Sequence, residues 1–365
     1  MSKCSVCEEK STYNGTDKCI LHCEKDDLEY PEFDKAIVKY IENNNNKNKL
    51  KLRNIVFPSN HNYNHIFSLY TEIHFQSCVF NSLDFENKID FKKIKAIQYY
   101  DCTFNENWKH FNINSITYSH CTFNKQIYLH FSYNSENTNL YLLHFSDCIF
   151  KEKFDLDFSS ANMVRCLIDN INIQNTIFMQ DVKISYCDID FFIFANNTTE
   201  KITEFENDTI STLHSIYNKF KYLVSWNNTI FNEIEFKGDI YEELVLFKNT
   251  TFKWKLKLDD TIFKAEANFF NLKNEAGKKL EVKNIANRET ARIIKHSFEK
   301  QDNIIEANKF YALEMKKQEK ELSWTKNFAD KLIFTFHQIS SNHSQNWLLP
   351  ILWIFSVSFF YIGYI

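Results

Sequence analysis

Residues 77–81 of the chain read Ser-Cys-Val-Phe-Asn, with a small residue two places before a phenylalanine. Three later stretches repeat this arrangement: Asp-Cys-Thr-Phe-Asn at 101–105, His-Cys-Thr-Phe-Asn at 120–124 and Asp-Cys-Ile-Phe-Lys at 147–151. Side chains two apart on an extended strand point to the same face, so the cysteine and the phenylalanine are expected to point inward together. Cysteine is small and apolar enough for such a buried place.

Large apolar residues in this region recur at every fifth position, as in Leu140, Phe145 and Phe150. An α-helix would place them three and four apart, and a simple strand two apart. A spacing of five fits a chain that turns a corner every five residues. Four such sides make a coil of about twenty residues, and stacked coils bury a continuous core. The alternative is an ordinary antiparallel β-domain that is rich in phenylalanine.

The repeat resembles that of the pentapeptide-repeat proteins, whose consensus is Ala/Cys, Asp/Asn, Leu/Phe and two variable residues. Residues 267–269, Ala-Asn-Phe, match all three defined places. The resemblance implies a mainly β protein, a right-handed quadrilateral β-helix, which we expect over residues 50–285. The steps between Phe80, Phe104, Phe123, Phe150 and Phe178 are uneven, which predicts an irregular helix. Residues 200–227 interrupt the pattern and are expected to form a short helical insertion.

The composition limits the class of partner. The chain has 365 residues, a net charge of −4, and only 4 Gly and 3 Pro. A general nucleic-acid binder would show a concentrated basic face, so no nucleic-acid partner is expected. Because Asn and Asp tolerate left-handed backbone conformations, they are expected to take the turns that Gly usually takes.

Residues 1–30 contain a separate cysteine cluster. Cys4 and Cys7 form a Cys-x2-Cys pair, and Cys19 and Cys23 follow, with His22 as an alternative ligand. Zinc takes four tetrahedral ligands of these types, so the spacing predicts a structural zinc knuckle. The alternative is a set of free or redox-active thiols. The cysteines of the repeat region are instead expected to be buried thiols in a reducing cytosol.

Two helical segments flank the repeats. Residues 31–49 are expected to form a short helix and an Asn-rich linker, because Phe33, Ile37 and Ile41 fall at helical spacing. Residues 286–322 are expected to form a helical hairpin, 287–300 and 304–322, that caps the end of the solenoid. This hairpin looks like a single tetratricopeptide-type hairpin, a second and weaker similarity to membrane-linked pentapeptide-repeat proteins.

The C-terminal stretches point to a lipid bilayer. Residues 323–346 read as an amphipathic interfacial helix or as a simple connector. Residues 347–365 lack charge and predict one transmembrane helix, with a buried terminal helix as the alternative. Lys326 and Lys331 precede this span, so we expect a single-pass protein of the inner (cytoplasmic) membrane with its bulk in the cytoplasm. The span is read as a tail anchor or as part of a longer membrane protein.

These features predict a non-enzymatic, membrane-anchored scaffold or protein-interaction module. No catalytic constellation is visible, and the protein partner is not specified. The first alternative is a DNA-mimic protein of the gyrase-protecting type, to which the resemblance extends. The second is the soluble regulatory part of a truncated membrane channel or sensor. A zinc or redox sensor at the N-terminal cysteines is a third.

Overall fold

The computed structural model describes residues 3–7, 12–13, 15–25, 30–43, 48–58, 67, 69–81, 94–110, 114–129, 140–157, 166–343 and 345–364. Its main body is a solenoid of parallel strands, in which the chain contributes strands to three sheets in turn. The strands of each sheet follow one another in chain order, so every coil stacks on the one before it. The expected β-solenoid is therefore confirmed, and the antiparallel alternative is excluded.

The first sheet, called here the long-strand sheet, has ten strands: Lys49–Arg53, Glu72–Gln76, Ala96–Tyr100, Ser115–Ser119, Leu140–Ser146, Cys166–Gln174, Cys187–Ala195, Thr209–Ile216, Ile230–Lys237 and Thr251–Asp259. The short-strand sheet also has ten: Val56–Phe57, Val79–Phe80, Thr103–Phe104, Thr122–Phe123, Ile149–Phe150, Ile177–Phe178, Thr198–Thr199, Lys219–Phe220, Ile240–Tyr241 and Ile262–Phe263. The third sheet has eight: Trp108–His110, Ile127–Leu129, Phe154–Asp157, Val182–Ser185, Thr203–Glu206, Val224–Asn227, Val245–Lys248 and Ala267–Asn268.

Each complete coil points four pairs of side chains inward. The strand Cys187–Ala195 buries Cys187 and Ile189, passes a corner, and then buries Phe192 and Phe194. The third and short-strand sheets supply the other two pairs. The four-sided coil expected from the spacing of five is present, although only three sheets carry it, because one long strand forms two sides.

The regular coils contain 21 residues rather than twenty. Thr203 pairs with Val224, and Val224 with Val245. The extra residue lies where the chain passes from the short-strand sheet to the third sheet. The earlier coils are longer or shorter because their connecting segments differ, and parts of those segments lie outside the described residues.

The helical insertion expected at residues 200–227 is wrong. These residues form the strands Thr203–Glu206, Thr209–Ile216, Lys219–Phe220 and Val224–Asn227. Ile210 and Leu213 are three apart because the chain turns a corner between them, and not because they share a helix face. Both side chains are buried in the solenoid.

Aromatic columns fill the core. In the short-strand column, Phe80 stacks on Phe104 at a centroid distance of 4.9 Å, and Phe104 stacks on Phe123 at 4.6 Å. A second column contains Tyr99 and Tyr118, 4.9 Å apart. Each aromatic pair adds about 0.5–1.5 kcal/mol beyond the burial of its surface. The cysteines of the repeat, Cys78, Cys102, Cys121 and Cys148, are buried beside these columns as expected.

The corner before each short strand is taken by one residue in the left-handed backbone conformation. The residues at this corner are Asn54, Ser77, Asp101, His120, Asp147, Asn175, Asn196, Tyr217, Gly238 and Asp260. Six of the ten are Asn or Asp, whose side chains tolerate this conformation. The expectation that Asn and Asp replace Gly at the turns is confirmed.

Gly238→Ala is expected to destabilise the solenoid by about 1–2 kcal/mol, the cost of a side chain in the left-handed region. The new Cβ would lie 2.4 Å from the ring of Tyr217, which would have to move. Gly277→Ala is the control, since Gly277 is also left-handed but has open space around it. Urea denaturation should rank Gly238→Ala as the less stable variant, and equal midpoints would contradict the contact.

A buried polar ladder replaces part of the aromatic core. The N–H of Asn197 donates to Asn218 Oδ1 at 2.9 Å, and the N–H of Asn218 donates to Asp239 Oδ1 at 2.7 Å. Ser215 Oγ donates to Asp239 Oδ2 at 2.5 Å. Burial raises the pKa of Asp239 from 3.8 to about 7, although these hydrogen bonds oppose the rise.

Helices close both ends of the solenoid. Helix α1, Tyr30–Asn43, buries Phe33, Ile37 and Ile41, the residues that predicted it.

Helices α2, Arg288–Lys300, and α3, Ile304–Glu321, form the expected hairpin, preceded by a 3₁₀ turn at Val282–Asn284. Asn303 Oδ1 accepts from the N–H of Glu306 at 3.2 Å, which caps α3. Thr290 Oγ1 accepts from the N–H of Leu258, so α2 rests on the last long strand.

Two further helices follow, α4 at Phe328–Ser341 and α5 at Leu348–Tyr364. Among the described residues, none of the helices combines the length and the apolar character that crossing a membrane requires. The transmembrane helix expected at 347–365 is therefore not supported.

Candidate metal centre

The described residues 3–7, 12–13 and 15–25 form a compact knuckle around three cysteines and one histidine. The N–H of Ser5 donates to the carbonyl of Asp17, which brings the two halves together. A turn then follows, in which the N–H groups of His22 and Cys23 both donate to the carbonyl of Cys19. The turn points the side chains of Cys19 and His22 toward the Cys-x2-Cys pair.

The ligand atoms of Cys4, Cys7, Cys19 and His22 all lie within 4.8 Å of one another. Cys7 Sγ is 3.6 Å from Cys19 Sγ, and Cys4 Sγ is 3.5 Å from His22 Nδ1. Tetrahedral zinc with ordinary bond lengths requires about 3.8 Å between two sulfurs and about 3.5 Å between sulfur and nitrogen. The cluster is therefore close to the size of a zinc cage, and it can hold a metal ion.

Backbone amides favour a thiolate at one corner of this cluster. The N–H of Cys19 donates to Cys4 Sγ at 3.1 Å, and the N–H of Val6 donates to it at 3.5 Å. Burial alone would raise the pKa of the Cys4 thiol, but these hydrogen bonds outweigh it and lower the pKa to about 6. Burial and the neighbouring Cys7 thiol raise the pKa of Cys19 to about 12, so a bound cation would favour the thiolate form of Cys19.

The fourth member of the cluster is His22, the alternative ligand, and not Cys23. Cys23 is buried next to it, outside the group of four. Sequence spacing alone cannot separate the two, because adjacent residues of a turn point in different directions. The side chain of His22 points into the cluster and that of Cys23 does not, so the imidazole is the fourth ligand group.

The arrangement has the chemistry of a structural site. Three sulfurs and one nitrogen would supply the four ligands that zinc takes in a structural site, with no ligand position left for water or substrate. Cys4, Cys19 and His22 are all buried, and Cys7 is half-buried. Such a site stabilises the fold around it, since a metal that binds only the folded knuckle adds its binding free energy to folding.

A second candidate surface lies at the other end of the chain. Trp353 Nε1 donates to the carbonyl of Ile339 at 3.1 Å, which ties α5 to α4. The outer sides of both helices are apolar and exposed, most strongly at Phe359 and Phe360, which are 78% and 77% exposed. The other exposed large apolar residues of this helix pair are Phe328, Leu332, Ile333, Phe336, Ile339, Leu348, Ile351, Leu352, Trp353, Ile354, Phe355 and Val357.

A cavity of about 510 Å³ lies between the end of the solenoid and the α2–α3 hairpin. Apolar side chains such as Phe269, Leu280 and Phe310 line it, together with lysines. Two of these lysines, Lys279 and Lys309, form ion pairs with Glu306. The sequence analysis did not predict this cavity, because its walls come from segments distant in the chain.

No protein-family model matches this chain, and neither a curated protein nor a solved structure does. The fold is compatible with the pentapeptide-repeat resemblance, which rests on the repeat and the solenoid alone.

Proposed function

We propose that this protein is a non-enzymatic scaffold that presents its solenoid to a protein partner at a lipid bilayer. The exposed apolar surface of α4 and α5 carries this proposal, together with a structural zinc site at the opposite end. We place the contact at the surface of the bilayer, since none of the described helices is long and apolar enough to cross it.

The solenoid faces suit protein binding better than nucleic-acid mimicry. Acidic and basic residues of neighbouring coils form ion pairs on these faces. Examples are Lys221 Nζ to Glu200 Oε1 at 2.7 Å and Lys257 Nζ to Glu235 Oε1 at 2.6 Å. A DNA mimic needs a concentrated acidic face, and this surface alternates acid and base. Because aromatic columns occupy the interior, the long outer faces are the natural contact area.

Contact with lipid follows from the character of α4 and α5. Soluble surfaces rarely expose contiguous apolar patches of this extent, and such patches mark partner or membrane sites. The exposed apolar residues lie all around α5 rather than along one stripe. A helix that binds a protein groove needs only one apolar stripe, whereas a helix among lipid tails is in contact with apolar groups on several sides. Lys326 and Lys331 lie beside this surface and favour the anionic headgroups of a cytoplasmic leaflet.

The full chain is expected to float with liposomes of zwitterionic and anionic lipids in a density gradient. Phe355→Glu combined with Phe359→Glu is expected to leave most of the protein in the dense fraction, because two charges must then enter the hydrocarbon. Both residues are exposed, so the fold should persist.

Trp254→Glu is the matched control, since Trp254 is a 67% exposed aromatic residue on the solenoid. It should float like the unchanged chain. Flotation of the double variant at the unchanged level would refute bilayer contact through α5. Failure of the unchanged chain to float would refute the bilayer proposal altogether.

A further inference from the structure

The N-terminal knuckle closes the first edge of the short-strand sheet. In every later coil of this sheet, an amide donates to a carbonyl of the coil before it, as Val79 N–H does to Ile55 at 2.9 Å and Thr103 N–H does to Cys78 at 2.9 Å. Val56 belongs to the first coil and has no such predecessor. Its N–H donates instead to the carbonyl of Leu21 at 2.9 Å.

The second outward group of Val56 is also satisfied by the knuckle. Lys25 Nζ donates to the Val56 carbonyl at 2.8 Å and to the Cys23 carbonyl at 2.6 Å. The chain around residues 21–25 therefore takes the place of a missing preceding coil. An unpaired strand edge is a template for pairing with another chain, so this contact hides an adhesive surface.

The position of this contact depends on the metal cluster. Leu21 lies between the ligands Cys19 and His22, and its carbonyl direction follows from the turn that they form. Residues 3–25 are too few to build a stable core of their own. Leu21 also packs into the core shared with the solenoid. A metal that drew Cys4, Cys7, Cys19 and His22 together would fix the turn and with it the direction of the Leu21 carbonyl.

We propose that zinc binding to Cys4, Cys7, Cys19 and His22 holds the knuckle on the Val56 edge, and that loss of zinc frees this edge to pair with the same edge of a second copy. This inference rests on the zinc site of the proposed function. The far end of the solenoid is covered by the α2–α3 hairpin. At the first end α1 packs Phe33 on Phe57, and the outward N–H and carbonyl of Val56 are closed by the knuckle and not by α1. Two identical edges related by a two-fold axis close on each other, which predicts a dimer and not a fibre.

The test uses the full chain carrying Phe355→Glu and Phe359→Glu, so that the apolar C-terminal helices do not associate. Zinc content, mass by light scattering and hydrogen exchange of single amides are measured before and after removal of zinc by a chelator. We expect about tenfold or faster exchange of the Val56 amide and a doubling of mass, both reversed by added zinc. Cys19→Ser should show the fast exchange of the Val56 amide and the doubled mass without any chelator. Cys23→Ser should give the same exchange and mass as the chain with an unchanged cluster.

The Thr103 amide is the internal control, because its bond lies within the sheet. If zinc binds but the Val56 amide stays protected after chelation, the edge closure by zinc is wrong and the zinc site stands. If the Val56 amide opens and the mass does not change, pairing with a second copy is wrong. Exchange of Thr103 together with Val56 would show global unfolding and overturn the inference. Absence of bound zinc would overturn the zinc site and this inference together.

Discussion

One zinc ion per chain is expected to remain with the protein through purification, and Cys19→Ser is expected to abolish its retention. Cys19 Sγ lies 3.6 Å from Cys7 Sγ and 3.1 Å from His22 Nδ1, so it joins the two halves of the cluster. Loss of a residue that only supports a ligand costs about 10–100-fold in affinity, so loss of a ligand should cost more. Metal analysis after dialysis, and competition with a chromogenic chelator, measure the effect.

The informative comparison is between two neighbours in the turn. His22→Ala should lose zinc as Cys19→Ser does, whereas Cys23→Ser should retain one ion per chain. If Cys23→Ser loses the metal and His22→Ala keeps it, the ligand set is the one with four cysteines. If no variant changes the metal content, the ion is not bound at this cluster.

Asp239→Asn is expected to stabilise the protein above pH 7 and to change little near pH 4. The carboxyl titrates near 3.8 when unfolded and near 7 when folded, since burial raises its pKa. Between these values the folded state binds more protons, so the free energy of unfolding falls by about 1.4 kcal/mol per pH unit as pH rises. The contribution is complete below pH 3.8 and lost above about 7, a total of up to about 4 kcal/mol.

The neighbouring coils show that an amide fits this place. Asn197 and Asn218 occupy the corresponding position in the two preceding coils, and each accepts a backbone N–H at 2.9 Å. Urea denaturation of both proteins at several pH values from 4 to 8 measures the difference. Asp190→Asn, an exposed substitution, is the control and should leave the pH dependence intact. A constant gap between Asp239→Asn and the parent at all pH values would contradict the buried charge as its cause.

The solenoid itself could be predicted from the sequence because its rule is local. A small residue stands two places before a large one, and this pair repeats with a spacing of five. The chain can bury all of these side chains only if it turns a corner in each repeat. The same holds for α1 and for the start of α3, where Asn303 is a cap that depends on neighbours in the chain. These features need no knowledge of which distant segments meet.

The errors arose where a spacing has two physical origins. Leu213, Ile216 and Phe220 look helical by their spacing, but they lie on two successive strands with a corner between them. The coil of 21 residues becomes visible only from strand pairing. At the C-terminus, apolar composition predicted a span, whereas none of the described helices combines the length and apolar character that a span requires.

The sequence by itself determined the stacked coils, the asparagine and aspartate corners, the capping helices and the supply of zinc ligands. Only the tertiary structure decided which ligand completes the cluster, because His22 and Cys23 differ in direction and not in spacing. It also placed the Leu21 carbonyl on the Val56 edge and buried Asp239 without a counter-ion among the described residues. Directions and long-range contacts depend on how the whole chain packs, and no local pattern encodes them.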